Sequence, residues 1–154
     1  MSTRIETRLA ELGLTLPEAA APVAAYVPVV EHDGLLHISG QLPFDDGALM
    51  MGRVGEDREL SFAQEAAKRC ALMVLAQAKR ALGGDLSRIE RIVKLGVFVN
   101  SATDFTDQAK VANGASELMI DLIGDTGRHA RSAVGVAVLP LGAVVEIDAI
   151  IAVR

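Results

Sequence analysis

The segment Ser61–Leu82 constrains the fold most strongly, because it predicts one long amphipathic helix in a chain whose other segments are mostly strand-like. Its apolar stripe has helical spacing and comprises Phe62, Ala66, Cys70, Val74, Ala78 and Ala81. Ser61 and Gln64 have the spacing of a capping box, and Gly83 and Gly84 follow as a stop signal. A helix with one apolar face has to pack against other elements, so this segment predicts a layered domain.

The remaining segments predict a short N-terminal helix, a second long helix, and strands before, between and after the two long helices. Helices are predicted over Thr3–Leu12 and Phe105–Ile123, and strands over Tyr26–Glu31, Leu35–Gly40, Ala48–Val54, Ile92–Val99, Ser132–Val138 and Ala143–Val153. This order predicts an α+β sandwich with one mixed sheet and two long helices on one face. We expect a single domain over residues 1–154, in which residues 1–24 form a helix and an extended arm. The bare face of the sheet, if apolar, has to meet another subunit.

Composition and charge exclude several classes of function. The net charge of −5 and the lack of a basic run argue against nucleic-acid binding. The single cysteine, Cys70, cannot form an internal disulfide. Met1–Gly13 mixes charges at helical spacing and does not resemble a signal peptide, and no segment is apolar enough to span a bilayer. We therefore expect a cytoplasmic protein without membrane association.

The last strand carries two carboxylates in apolar surroundings. Alternation places Glu146 and Asp148 on one face, where a buried carboxylate needs a partner. If the last two strands form a hairpin about Pro140, Arg131 lies near Asp148 and is the candidate partner. Two interpretations stay open: a structural ion pair at a sheet edge, or a site in which arginine holds an anionic substrate and a carboxylate handles protons.

Two smaller features are less specific. His129 lies beside Arg128 and Arg131, in a basic cluster that suits either an anion or a solvated loop. Asn113 and Gly114 are an unfavourable pair inside a predicted helix, which indicates a close approach or a local contact. No metal-ligand spacing links the histidines.

Seven short segments match one known sequence pattern: Ile38–Pro43, Val93–Val99, Asp104–Phe105, Val111–Asn113, Arg131–Val134, Leu139–Pro140 and Val145–Ile150. Together they resemble the RidA (YjgF) family, and the resemblance extends from Tyr26 to the C-terminus. The run Gly127–Ser132 and the additional N-terminal helix resemble the longer branch of the family, often labelled endoribonuclease L-PSP-like.

The resemblance implies a chorismate-mutase-like fold, a homotrimer with a barrel-like centre, and clefts between subunits that bind a small carboxylate-bearing metabolite. It implies enamine/imine deamination, in which 2-imino acids of the 2-aminoacrylate type are hydrolysed to 2-keto acids and ammonia. It assigns catalysis to Arg131, which holds the substrate carboxylate, and Glu146, which activates water. It assigns substrate binding to the cleft residues Tyr26, Gly40, Asn113 and Ala133; Ala133 stands where the best-known members have cysteine. No cofactor is expected, because the imine carbon is already electrophilic.

Two alternatives accompany this hypothesis. The first is a non-catalytic trimer, sensor or chaperone-like, that binds a small carboxylate. The second is an endoribonuclease, which the acidic charge and the missing basic stripe disfavour.

Overall fold

The computed structural model describes residues 3–22 and 25–154, and its long helices and strands follow the predicted order. The helices are α1 (Arg4–Glu11), α2 (Leu60–Ala81) and α3 (Gln108–Ile123). The strands are β1 (Val29–His32), β2 (Leu35–Gln41), β3 (Phe44–Asp45), β4 (Ala48–Leu49), β5 (Ile89–Asn100), β6 (Ala130–Val136) and β7 (Val145–Val153). Short 3-10 turns precede β5, β6 and β7.

Five strands form one mixed sheet in the order β1–β2–β7–β5–β6, and β3 and β4 pair separately as a small hairpin. Only β5 and β6 run parallel, since α3 crosses over between them. The hairpin predicted from the last two strands is therefore wrong, because β5 lies between β6 and β7 and pairs with both. The turn at Pro140–Gly142 carries the chain past the end of β5.

Helices α2 and α3 pack on one face of this sheet, as predicted. The buried side of α2 consists largely of small residues, which allow a close approach to the sheet: Ala63, Ala66, Ala67, Cys70, Ala71, Val74 and Ala78. The predicted capping box at Ser61 is wrong, because α2 begins one residue earlier and Glu59 occupies the N-cap without a side-chain bond. Gln64 Nε2 instead donates to the Lys110 carbonyl at 3.0 Å.

The opposite face of the sheet carries no helix among the residues described above. Along β7 the odd-numbered residues are buried under the helices, and the even-numbered residues from Glu146 to Ala152 are half-buried on the open face. Val30 and Val134 lie on this open face with 49% and 46% of their surface exposed. An uncovered sheet face is thus present, as the order of the elements predicted, and it combines exposed apolar side chains with the carboxylates Glu146 and Asp148.

The N-terminal helix has the predicted cap. The Glu6 backbone N–H donates to Thr3 Oγ1 at 3.2 Å, and the Thr3 N–H donates to Glu6 Oε2 at 2.8 Å. The ends of the predicted helix and arm, at positions 1–2 and 23–24, lie outside the described residues. The first strand of the sheet starts later than predicted, at Val29, because Pro28 has no N–H for a strand ladder. None of the helices in the described part of the chain combines the length and apolar character that crossing a bilayer requires.

Candidate active site

Arg131 lies near the start of β6, an edge strand, with its side chain half-buried against α3. Its Nη1 donates to Asn113 Oδ1 at 2.8 Å and to Ser116 Oγ at 3.1 Å. Both acceptors are neutral, and within residues 3–22 and 25–154 no carboxylate forms an ion pair with Arg131. Nε and Nη2 make no hydrogen bond to these residues, so one edge of the guanidinium is available to a ligand.

Helix α3 can present Asn113 to Arg131 because it crosses α2 very closely. A β-carbon on Gly114 would overlap the carbonyl oxygen of Gln64, near the start of α2. The unfavourable Asn113-Gly114 pair is thereby explained as a close helix approach. Ser116 follows Asn113 by three residues, so both side chains lie on the same side of α3.

Glu146 and Asp148 lie on the open face of β7, and each carboxylate covers a glycine of a neighbouring strand. A β-carbon on Gly40 would lie 2.6 Å from Glu146 Oε1. A β-carbon on Gly96 in β5 would overlap Asp148 Oδ1. The carboxylates therefore occupy space that any other residue at these two positions would fill.

Burial changes the proton affinity of both carboxylates. It raises the pKa of Glu146 above the ordinary glutamate value, and the nearby charge of Asp148 raises it further. Burial also raises the pKa of Asp148, although hydrogen bonding to the Gly96 backbone and the charge of Lys94 oppose this effect. A carboxylate with a raised pKa is a stronger proton acceptor, which is the property a general base needs.

The structure separates the predicted catalytic residues into two groups within one chain. Arg131 pairs in register with Leu95, whose side chain is buried beneath the helices, while Glu146 pairs with Phe98 on the open face. Strand β5 lies between their strands, so the axes of β6 and β7 are about 10 Å apart, and the two residues are also offset by three positions in register. Arg131 and Asn113 are together on the helix side, and Glu146 and Gly40 are together on the open side.

The other two predicted binding residues lie near these groups. Ala133 is two residues beyond Arg131 on the same side of β6 and packs against the core. Tyr26 precedes β1 and is 47% exposed. The segment after Tyr26 is held to β2, since Ser39 Oγ donates to the Val27 carbonyl at 3.2 Å.

The sequence predicts no role for Ser116 and places His129 only in a basic cluster, yet the structure joins both to Arg131. Ser116 Oγ lies 2.8 Å from His129 Nε2, and His129 Nδ1 lies 2.6 Å from the Gly127 carbonyl oxygen. The signal available in the sequence is the i, i+3 spacing of Asn113 and Ser116. Across residues 3–22 and 25–154, no group of three or more His, Cys, Asp or Glu side chains could hold a metal ion.

Comparison with known proteins places the chain in a family. The sequence family described as "YjgF/chorismate mutase-like, putative endoribonuclease" matches residues 6–151. Protein TCP17 of Trypanosoma cruzi is 51% identical over 152 residues, which cover 97% of this chain and 94% of that protein.

Solved structures agree with this match. The crystal structure of protein Atu1372 from Agrobacterium tumefaciens superposes with a TM-score of 0.92 at 51% identity, covering 98% of this chain and 93% of that one. Escherichia coli TdcF, solved with bound serine, superposes with a TM-score of 0.62 at 26% identity, covering 89% and 94%. The chain therefore belongs to the RidA (YjgF) family and has its chorismate-mutase-like α+β fold.

Proposed function

We propose that the protein is an enamine/imine deaminase that hydrolyses 2-imino acids to 2-keto acids and ammonia in clefts between the subunits of a homotrimer. The observation that supports this most directly is the state of Arg131. Its guanidinium is fixed by two neutral acceptors, lacks a carboxylate partner among the described residues, and keeps Nε and Nη2 available. A substrate carboxylate accepts two hydrogen bonds in this geometry.

Glu146 supplies the proton acceptor that the reaction needs. Water adds to the imine carbon, the carbon–nitrogen bond of the resulting tetrahedral intermediate breaks, and a 2-keto acid and ammonia are released. Both protons of the attacking water end on the nitrogen: one moves as water adds to the imine carbon, and the second moves from the hydroxyl group as the carbon–nitrogen bond breaks. Burial and Asp148 raise the pKa of Glu146, which suits a group that takes up a proton from oxygen and returns it to nitrogen in each step.

The arrangement of the two groups supports the homotrimer. Arg131 and Glu146 point to opposite sides of the sheet, so one chain cannot place both against one small substrate. The edge strand β6 carries Arg131, and the open face carries Glu146 together with the exposed side chains of Val30 and Val134. If strand β6 of one protomer docks on the open face of the next, the apolar surface is covered, and Arg131 of one subunit meets Glu146 of the other in one cleft.

The second candidate function is carboxylate binding without turnover. It is favoured by the relative TdcF, whose structure contains bound serine, a small molecule with a carboxylate. The Arg131 half of the site is sufficient for such binding. This function predicts thermal stabilisation by 2-keto acids and no release of product.

The test is an assay in which a PLP-dependent dehydratase generates 2-aminoacrylate and keto acid release is followed. Deamination predicts that Arg131→Ala lowers kcat/KM by about 10- to 100-fold, since charged hydrogen bonds to the substrate are lost. Glu146→Gln lowers kcat by about 100-fold or more. Arg128→Ala is the matched control, because it removes an exposed arginine nearby and leaves the rate unchanged.

A wild-type rate equal to that of buffer contradicts the deaminase. If 2-oxobutyrate nevertheless raises the melting temperature of the wild type but not of Arg131→Ala, the binding function replaces it.

A further inference from the structure

Arg131 is held by a chain of hydrogen bonds that continues beyond Asn113 and Ser116. The chain runs from Arg131 Nη1 to Ser116 Oγ, from Ser116 Oγ to His129 Nε2, and from His129 Nδ1 to the Gly127 carbonyl. Ser116 is buried, with 8% of its surface exposed, and the His129 side chain is partly buried. The family resemblance assigns a catalytic or binding role to Arg131 but to none of Ser116, His129 and Gly127, which form the rest of this hydrogen-bond network.

The direction of each bond follows from what each group can do. The Gly127 carbonyl only accepts, so His129 Nδ1 carries a hydrogen and donates it at 2.6 Å. In the neutral imidazole, Nε2 is then an acceptor, and the Ser116 hydroxyl donates to it at 2.8 Å. The Ser116 hydrogen thus points away from Arg131, and a lone pair faces the guanidinium.

This direction matters because a serine hydroxyl rotates freely. Without His129, the Ser116 hydroxyl can turn its hydrogen toward Arg131. The guanidinium can only donate hydrogen bonds, so the bond between the two side chains is then lost. The guanidinium then keeps only the Asn113 contact at Nη1 and can swing about that bond. The Ser116 oxygen is buried and accepts a hydrogen bond from Arg131, so it is not exposed to a substrate as the nucleophile of a Ser–His pair would be.

We propose that His129 and Ser116 are positioning residues for carboxylate recognition, in which His129 fixes the direction of the Ser116 hydroxyl and thereby aligns Arg131. The inference rests on the proposed function, since it concerns the same arginine. It adds two residues whose effect on the substrate passes through Arg131. Gly127 is the fixed end of the chain: a β-carbon on it would overlap the Met119 carbonyl, so its backbone is held tightly against α3.

The experiment uses two substitutions of His129 that separate its two bonds. His129→Gln places an amide oxygen where Nε2 accepts from Ser116, whereas His129→Asn offers its amide near Nδ1 only. We expect His129→Asn and Ser116→Ala each to raise KM about threefold to tenfold with kcat changed less than twofold, as for the loss of one neutral hydrogen bond. We expect His129→Gln to stay within about twofold of the wild type. The double variant that combines His129→Asn with Ser116→Ala should have the same KM as either single variant, because both substitutions interrupt the same series of hydrogen bonds.

His32→Asn is the matched control, because His32 is the exposed last residue of β1 and forms its one ion pair among the described residues with Asp33. The same variants are titrated with 2-oxobutyrate by calorimetry, which tests recognition without turnover and on folded protein. An unchanged KM and affinity in His129→Asn, or no recovery in His129→Gln, overturns the positioning role.

Failure of the proposed function gives a different pattern. If the wild type shows no turnover but binds 2-oxobutyrate, the calorimetric affinities of the His129 variants alone decide the inference. If Arg131→Ala binds 2-oxobutyrate as well as the wild type does, both the proposed site and the positioning role are wrong.

Discussion

The carboxylate of Glu146 lies directly over Gly40, on the neighbouring strand β2. A β-carbon at Gly40 would come within 2.6 Å of Glu146 Oε1 and 2.7 Å of Cδ, which is closer than such atoms approach in folded proteins. The register of β2 against β7 shifts between Ile38 and Gln41, so Gly40 belongs to an irregular stretch where the strand bends. The position of the proposed base thus depends on the absence of a side chain next to it.

Gly40→Ala is expected to displace the Glu146 carboxylate and lower kcat about tenfold or more, with a stability loss of about 1 kcal/mol. The stability loss is small because the carboxylate is the flexible end of a side chain and can move. Activity and urea denaturation on the same preparations check this. In a double-substitution cycle, Gly40→Ala should cost less stability in the Glu146→Ala background. Full additivity would contradict the contact.

Gly114→Ala is expected to destabilise the fold by about 2–4 kcal/mol, because the new methyl group meets the Gln64 backbone, which cannot move as a side chain does. Thermal and urea denaturation measure the loss. Glu117→Ala, at an exposed position of the same helix, serves as the control and should change stability by less than about 0.5 kcal/mol. Equal stability of the two variants would show that α2 and α3 do not cross so closely.

Co-expression of Arg131→Ala and Glu146→Gln subunits is expected to restore activity well above that of either variant alone. If each cleft takes its arginine from one subunit and its glutamate from the next, one of the three clefts in every mixed trimer contains both groups. Differently tagged subunits allow mixed trimers to be purified and assayed. Mixed trimers without activity would place both groups of a cleft in one subunit, against the opposite directions of their side chains.

Asp148→Asn is expected to shift the acid limb of the kcat–pH profile to lower pH. The negative charge of Asp148 raises the pKa of Glu146, so its removal lets Glu146 lose its proton at a lower pH and act as a base there. Glu90→Gln is the control: it removes one negative charge at an exposed position near the start of β5 and should leave the kcat–pH profile unchanged. A shift of the acid limb to higher pH in Asp148→Asn would contradict Glu146 as the base.

Glu6→Gln is expected to lower stability by about 1 kcal/mol at neutral pH. The contact between Glu6 Oε1 and Lys79 Nζ at 2.7 Å, with the Thr3 backbone, lowers the pKa of Glu6 from 4.5 to about 2. Because the folded-state pKa is the lower one, the stabilisation is present above about pH 4.5 and disappears as the pH falls towards 2. Urea denaturation of both proteins across this range should show the curves converging at acid pH. A constant difference down to pH 2 would mean that the ion pair does not stabilise α1.

Elements whose signals are local can be predicted from the sequence. The capping box of α1 needs only Thr3 and Glu6, and the alternation along β7 needs only a period of two to place Glu146 and Asp148 on one face. The start of α2 is harder to place, since Ser61 and Glu59 both precede a helical run and the capping-box spacing favours the wrong one. The family motifs lie within short segments as well, so the family and its fold can be predicted before the strands are paired.

The sequence by itself determined the composition of the layers, the presence of a sheet face without helices, and the identity of the groups able to bind a carboxylate and accept a proton. Only the tertiary structure decided where each of these groups lies, because strand order depends on contacts between distant segments and on the crossover of α3 between β5 and β6. The expected hairpin would have placed Arg131 beside Asp148 within one chain. The insertion of β5 separates them, and the register, which assigns each side chain to one face, turns Arg131 towards α3 and Glu146 away from it.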